Sequence, residues 1–348
     1  MSRSLHPSVK PAIAAIACLL RSKEPFLLTR VGLGDETSFG YCHAFPADPT
    51  CESVGKSKKY STASSALAPS NSGVYGNSRW LIEGYGKMYY DAISAAEVHA
   101  RFNHLENHLE FSRIYTANAG LCKKNYHCEQ DSILQKAGFR TKTQFARFKT
   151  RRGKEVAEAC GAASIVHHRS LEPWMYARPM SESWTTALAG RRVLLVTPFV
   201  STIRKQLARC DGVWGSHNAA YLCPRGMEVV FVKSPYTFLT NRSVPWTTHL
   251  ADLKSRVAAL MEGSGFDAAF LGCGGFGLPL AHFIRVGLNR TAIYVGGGLQ
   301  LWFGILGGRW NRNPYIRPHM NVHWTRPFKS ETPETRIAAS IESSTYWR

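Results

Sequence analysis

Two carboxylates and a set of glycines are the residues of this chain whose types and spacing best suit chemistry. Asp35 and Glu36 come after the apolar run Pro25 to Arg30, in a turn that also holds Gly32 and Gly34. Carboxylates at a strand end can hold a divalent cation, and the cation can hold a diphosphate. One of them can instead act as general base toward an attacking hydroxyl. The ordinary alternative is an acid at a helix N-terminus, where it complements the helix dipole. The glycines lie between Phe266 and Trp310, which reads as strand, glycine turn, helix, strand and second glycine turn. Gly272, Gly274 and Gly277 spell G-x-G-x-x-G, with Gly275 between them. That layout can offer backbone N–H groups to an anion. It can equally be a tight packing turn, where glycine lets strand and helix close up.

The residues beyond the first glycine turn argue against a dinucleotide. A dinucleotide-binding βαβ unit carries an acid roughly 20 residues on, at the end of its second strand, for the ribose hydroxyls. Here the second strand, Thr291 to Val295, ends in Gly296, Gly297 and Gly298, and no Asp or Glu occurs from Ala268 to Trp310. NAD and FAD are therefore not expected. The histidine pairs His104/His108, His167/His168 and His319/His323 match no specific metal or catalytic spacing, and neither a G-x-S-x-G elbow nor a Walker loop occurs.

Strands and helices that alternate must position these groups. Pro25–Arg30, Gly190–Pro198, Met227–Val232, Phe266 onward and Thr291–Val295 read as strands, and 200–208, 249–261 and the stretch after Pro279 as helices. Residues 80–115 and 132–163 read as mostly helical. The expectation is an α/β, Rossmann-like doubly wound and mostly parallel sheet with a helical insertion. It forms one domain over 1–310, with a loop at 45–72, the insertion at about 80–165, and a C-terminal tail at 311–348. Ligands of such sheets bind beyond the C-terminal strand ends. These ends are Arg30–Glu36, Thr197–Ser201, Lys233–Tyr236 and Gly272–Gly277.

Composition bounds the function class. The 348 residues are 44% hydrophobic and 11% aromatic, as expected of a folded chain, and carry a formal net charge of +19. The charge favours anionic partners. Its densest patch, Arg140 to Lys154, interleaves Phe139, Phe145 and Phe148, and reads best as a solvated face over a few buried rings. Nucleic acid is not the expected partner. Nine cysteines without C-x-x-C spacing suggest reduced thiols in a cytosol-like compartment. The apolar run Pro11–Leu20 is about half a bilayer span and reads as a core helix. On that basis the sequons at Asn241 and Asn289 are accidental, and a glycan at Asn289, inside the βαβ unit, would be awkward.

Three blocks together resemble a known family. Leu28-Thr-Arg30-Val-Gly32-Leu-Gly34-Asp35-Glu36 is similar to the R-x-G-D-G-E turn of GT-D-type glycosyltransferases, whose D-x-E motif comes after the first strand. Leu188 to Phe199 with Thr202, Ile203 and Gln206 resembles a strand-and-helix block of uncharacterised relatives from polysaccharide gene clusters. The Gly272–Ala281 and Gly296–Trp310 stretches resemble two further blocks of the same relatives. The likeness runs from about Pro25 to Trp310, with Tyr115–Leu171 unmatched. It departs from the pattern at Leu33, which stands where the first acid belongs.

The resemblance implies transfer of a sugar from a nucleotide-diphosphate donor to a hydroxyl of a glycan or lipid-linked acceptor. Asp35 and Glu36 would be the catalytic acids and the only metal ligands, for Mn²⁺ or Mg²⁺. Arg30, Gly32, Gly34, Lys233, Gly274, Gly275, Gly277, Gln300 and Arg309 would hold the donor and its phosphates. The expected location is cytoplasmic, with peripheral contact to acidic membrane. The alternatives are a dinucleotide-dependent oxidoreductase and a non-catalytic nucleic-acid-binding protein.

Overall fold

Short apolar runs bounded by Gly, Pro or charged residues form the centre of the computed structural model, which describes residues 8–30, 42–47, 79–101, 133–140, 144–174, 180–237, 244–311, 313–333 and 347. In chain order the elements are α1 (Val9–Ser22), β1 (Leu27–Arg30), α2 (Arg79–Ala95), β2 (Val98–Arg101), α3 (Arg151–Ala159), β3 (Ile165–His167), β4 (Arg192–Thr197), α4 (Val200–Leu207), α5 (Cys210–Trp214), α6 (Ser216–Leu222), β5 (Glu228–Lys233), α7 (Trp246–Ala259), β6 (Ala268–Leu271), α8 (Gly277–His282), β7 (Thr291–Tyr294) and α9 (Gly298–Trp302). The strands make one parallel sheet in the order β3-β2-β1-β7-β6-β4-β5. The α/β, Rossmann-like expectation is met.

Alternation along each strand sends side chains to opposite faces. On β4, Val193 and Leu195 join the core shared with α1, α4 and α9, whereas Leu194 and Val196 join the core shared with α2, α7 and α8. The first layer is face A and the second face B. Crossovers in parallel sheets are right-handed. Accordingly the connections that step toward β3, through α2, α7 and α8, cover face B, and those that step toward β5 cover face A.

One strand falls where helix was expected and a second comes just after. The helix at 80–115 ends at Ala95, and β2 comes directly after it; β3 follows the stretch expected to be helical to Ala163. Residues 80–167 thus supply two strands of the sheet rather than a purely helical insertion. The β2 pattern is hard to read because its inward residues include a histidine. His99 is fully buried, its Nδ1 2.9 Å from Thr29 Oγ1 on β1 and its ring against Phe139. The described part of the basic patch, 140 and 144–154, is a solvated face beside buried Phe139 and Phe148, with Phe145 exposed, Arg147 lying over the Phe139 ring and Arg151 paired to Glu155.

The cysteine expectation is overturned. Cys18 is bonded to Cys160 with Cα atoms 5.5 Å apart, joining α1 to the end of α3, and Cys210 is bonded to Cys223 across α5 and α6. Cys42 is disulfide-bonded as well. Cys18 and Cys160 are 142 residues apart and leave no local spacing to read, whereas Cys210 and Cys223 are only 13 apart. The cytosol-like compartment inferred from reduced thiols loses its premise. Among the described residues no helix is long and apolar enough to cross a membrane.

Burial holds His99 neutral, pushing its pKa down from 6.5 to about 3, and Arg101 adds to the shift. The unfolded chain takes up a proton near pH 6.5 that the folded chain refuses. This stability is therefore present above pH 6.5 and is lost as pH falls toward 3. Denaturant unfolding at pH 7 and pH 5 should show a loss of about 2 kcal/mol from this group. The loss should be smaller in a His99→Gln variant.

Candidate active site

In an open parallel sheet a crevice forms where neighbouring strands send the chain to opposite faces and away from each other. This sheet has two such places. β4 leads to α4 on face A while β6 leads to α8 on face B, and β7 leads to α9 on face A while β1 leads to α2 on face B.

The start of α4, after β4, is occupied by the chain itself. The buried Glu331 carboxylate accepts hydrogen bonds from Ser201 N–H (2.5 Å), Thr202 N–H (3.0 Å) and Thr202 Oγ1–H (2.5 Å) at the start of α4. Phe328 N–H donates to Thr202 Oγ1, and the Tyr236 hydroxyl donates to the Glu331 carbonyl. Trp347 packs on Tyr236. An external phosphate would have to displace a carboxylate already matched to these donors. The described part of the C-terminal tail therefore wraps onto the domain.

The first glycine turn is a packing device. A Cβ on Gly277 would lie 2.1 Å from Tyr294 Cε2, and one on Gly272 would lie 2.9 Å from Leu299 Cβ and 3.0 Å from the Gly296 carbonyl oxygen. Gly274, at φ +57°, turns the chain; its carbonyl accepts from the Tyr294 hydroxyl, and that of Gly275 from the Tyr85 hydroxyl. Burial pushes the Cys273 thiol in this turn up to about 12, which leaves it inert at neutral pH. Gln300 is buried too, its amide donating to the Ile305 carbonyl and closing the turn after α9.

The β1/β7 crevice gathers the polar groups. Gly296, at φ +68°, lies under the Arg30 guanidinium, and a Cβ there would come within 2.8 Å of Arg30 Nη2. Only glycine lets the cation rest on the backbone at this point. His168, whose ring stacks on His167, and Arg169 stand just after β3. Arg169 Nη1 meets both Glu172 oxygens at 3.3 and 3.1 Å, and its guanidinium faces the Tyr315 ring. Glu172 and Trp174 approach Gly298 at the start of α9. Burial above all holds His168 well below the usual histidine range; Arg169, His167 and Arg30 push the same way, and a hydrogen bond to the Arg101 backbone opposes them. The histidine is neutral at pH 7. Arg30 and the Glu172-paired Arg169 thus put two guanidinium groups beside a neutral imidazole, donors of the kind that suit an anion needing bidentate partners.

The structure thus separates the expected donor residues. Arg30 lies in the β1/β7 crevice beside the second glycine turn. Lys233 is exposed at the end of β5, four strand positions from β1 and roughly 19 Å away at the usual strand spacing. Gly274, Gly275, Gly277 and Gln300 serve packing and turns. Gly32, Gly34, Asp35 and Glu36 lie outside the described residues, as does the side chain of Arg309, whose backbone forms the turn Gly308–Trp310. Asp35 is five residues beyond Arg30, so the chain can carry it at most roughly 18 Å from the crevice. Among the described residues no three His, Cys, Asp or Glu side chains cluster as a metal site would need. His168, Arg169, Glu172 and Tyr315 were not anticipated. Recognising β3 as a strand would have marked His-His-Arg-Ser-Leu-Glu as a strand-end sequence.

Thermal unfolding should separate packing glycines from lining ones. Gly277→Ala forces a methyl into the Tyr294 ring and should cost about 1–3 kcal/mol. Gly298→Ala meets nothing closer than 3.6 Å and should be near neutral. Comparison with family models, with curated proteins and with solved structures finds no match for this chain.

Proposed function

We propose that the chain is a glycosyltransferase that moves a sugar from a nucleotide-diphosphate donor to a hydroxyl of a glycan or lipid-linked acceptor. The observation that carries the proposal is the Arg30 guanidinium seated on Gly296 at a strand-end crevice, with Arg169 held nearby by Glu172. The sequence resemblance includes Arg30 and passes through the Gly296 turn, so it meets the geometry at this point.

In such a transfer the bond between the sugar C1 and the β-phosphate oxygen breaks while the acceptor oxygen bonds to C1. Negative charge grows on the departing nucleoside diphosphate, and fixed cations stabilise it more in the transition state than before. Arg30 is assigned that role, with Arg169 as its neighbour. The acceptor hydroxyl loses its proton to a base, for which Asp35 is the first candidate and Glu36 the second. A Mn²⁺ or Mg²⁺ ion would add charge to the same phosphates, and only Asp35 and Glu36 are candidates to hold it. The surplus of positive charge over the chain suits the anionic donor and allows peripheral contact with acidic membrane. The paired cysteines favour a lumenal or extracellular setting over the cytoplasm.

The direct test is hydrolysis of a panel of nucleotide sugars, with and without Mn²⁺, supported by titration of the matching nucleoside diphosphate. One donor should be turned over. Arg30→Met should weaken nucleoside-diphosphate binding about 10–100-fold, the worth of a charge-assisted contact. Lys233→Met should leave it unchanged, and Asp35→Ala should abolish turnover while retaining binding. No binding of any nucleotide across the panel would overturn the proposal.

A further inference from the structure

A sequon by itself says little, because Asn-x-Ser/Thr occurs often by chance. Asn289-Arg290-Thr291 is accompanied here by three structural observations. First, Asn289 is exposed and has φ +51°, in the tight turn that leads from the end of the α8 region into β7. Asparagine is one of the few residues that accepts this left-handed conformation readily. Second, its side chain is engaged only at the carbonyl end. Arg285 Nη1 donates to Asn289 Oδ1 at 3.2 Å, and the amide nitrogen has no partner among the described residues. Third, the turn precedes β7, so it lies at the N-terminal edge of the sheet. The Arg30–Gly296 crevice lies at the opposite edge, a strand length away. A bulky group on Asn289 would stand clear of it.

The compartment supplies the independent support. Cys18–Cys160 and Cys210–Cys223 are disulfides, and Cys42 is disulfide-bonded too. Such bonds form and persist in the secretory lumen or outside the cell. In eukaryotes that lumen is also where sequons are modified.

From exposure, turn geometry and cysteine pairing together, we infer that Asn289 carries an N-linked glycan and that the chain matures in an oxidising, glycosylating compartment. The donor would be a lipid-diphosphate-linked oligosaccharide, and the catalyst the host's own transferase. The Asn289 Nδ2–C1 bond forms and the C1–O bond to the phosphate breaks. The lipid diphosphate leaves with the electron pair, and the amide proton passes to a base. Thr291 supplies the hydroxyl of the sequon before folding. Afterwards it is buried, and its Oγ1 accepts from Phe26 N–H at 3.4 Å. This assignment is independent of what the β1/β7 crevice binds, so failure of the glycosyltransferase proposal leaves it untouched.

The test uses the full chain purified from the cells that naturally make it, alkylated without reduction and then digested. Peptide N-glycosidase in heavy-oxygen water converts a glycan-bearing Asn to isotopically marked Asp. The expected result is a marked residue 289 together with a Cys18–Cys160 linked peptide pair. In the same cells Asn289→Gln should remove one glycan step on a gel, and Thr291→Ser should retain it. If Asn289→Gln accumulates poorly, the marked peptide of the unaltered chain and the Thr291→Ser variant still decide. An unmodified Asn289 throughout the purified chain would overturn the site. Alkylation of Cys18 and Cys160 as free thiols would overturn the compartment.

Discussion

Glu331 fills the start of α4 with a carboxylate that accepts three hydrogen bonds from Ser201 and Thr202. A right-handed parallel sheet has crevices only where neighbouring strands part to opposite faces, and this sheet has two. The carboxylate and the segment that carries it occupy the start of α4 and reach Tyr236 after β5. Removing such a group would leave buried N–H donors unsatisfied, which is costly. The tail is thereby tied to the domain, and the donors at the start of α4 are already matched to a carboxylate.

That second crevice is built on a close approach. Arg30 rests on the backbone at Gly296, where any side chain would collide with the guanidinium. Arg169 is held by Glu172, and both are largely buried. A buried pair of this kind contributes little net stability but fixes geometry, since either partner alone would be a buried charge. The neutral His168 imidazole packs among these charges without adding to the repulsion. The result is a pair of guanidinium groups near one strand end, one of them fixed by Glu172, on which the proposed diphosphate site rests.

Much of the sheet was legible in the sequence because β4, β6 and β7 are buried on both faces and read as unbroken apolar runs between Gly, Pro and charged residues. β2 and β3 were not. They are short, and His99 and His167 interrupt the apolar signal although both are buried. The G-x-G-x-x-G spelling was legible but ambiguous, because glycine answers equally to a phosphate or to a tyrosine ring against the backbone. Tyr294 over Gly277 decides for the ring. Arg30 was named from the sequence; Arg169 and Glu172, which stand near it, were passed over with the strand that presents them. The Cys18–Cys160 pair had no local trace, since the two meet only after α1 and α3 pack on face A.

The central claim is that the β1/β7 crevice is where a phosphorylated ligand sits. A crystal structure of the protein soaked with inorganic pyrophosphate tests it most directly. Phosphate oxygens are expected within hydrogen-bonding distance, roughly 2.7–3.2 Å, of the Arg30 guanidinium beside Gly296. Pyrophosphate seated at Lys233 or on the Gly272–Gly277 turn, with the Arg30 crevice empty at millimolar ligand, would contradict it.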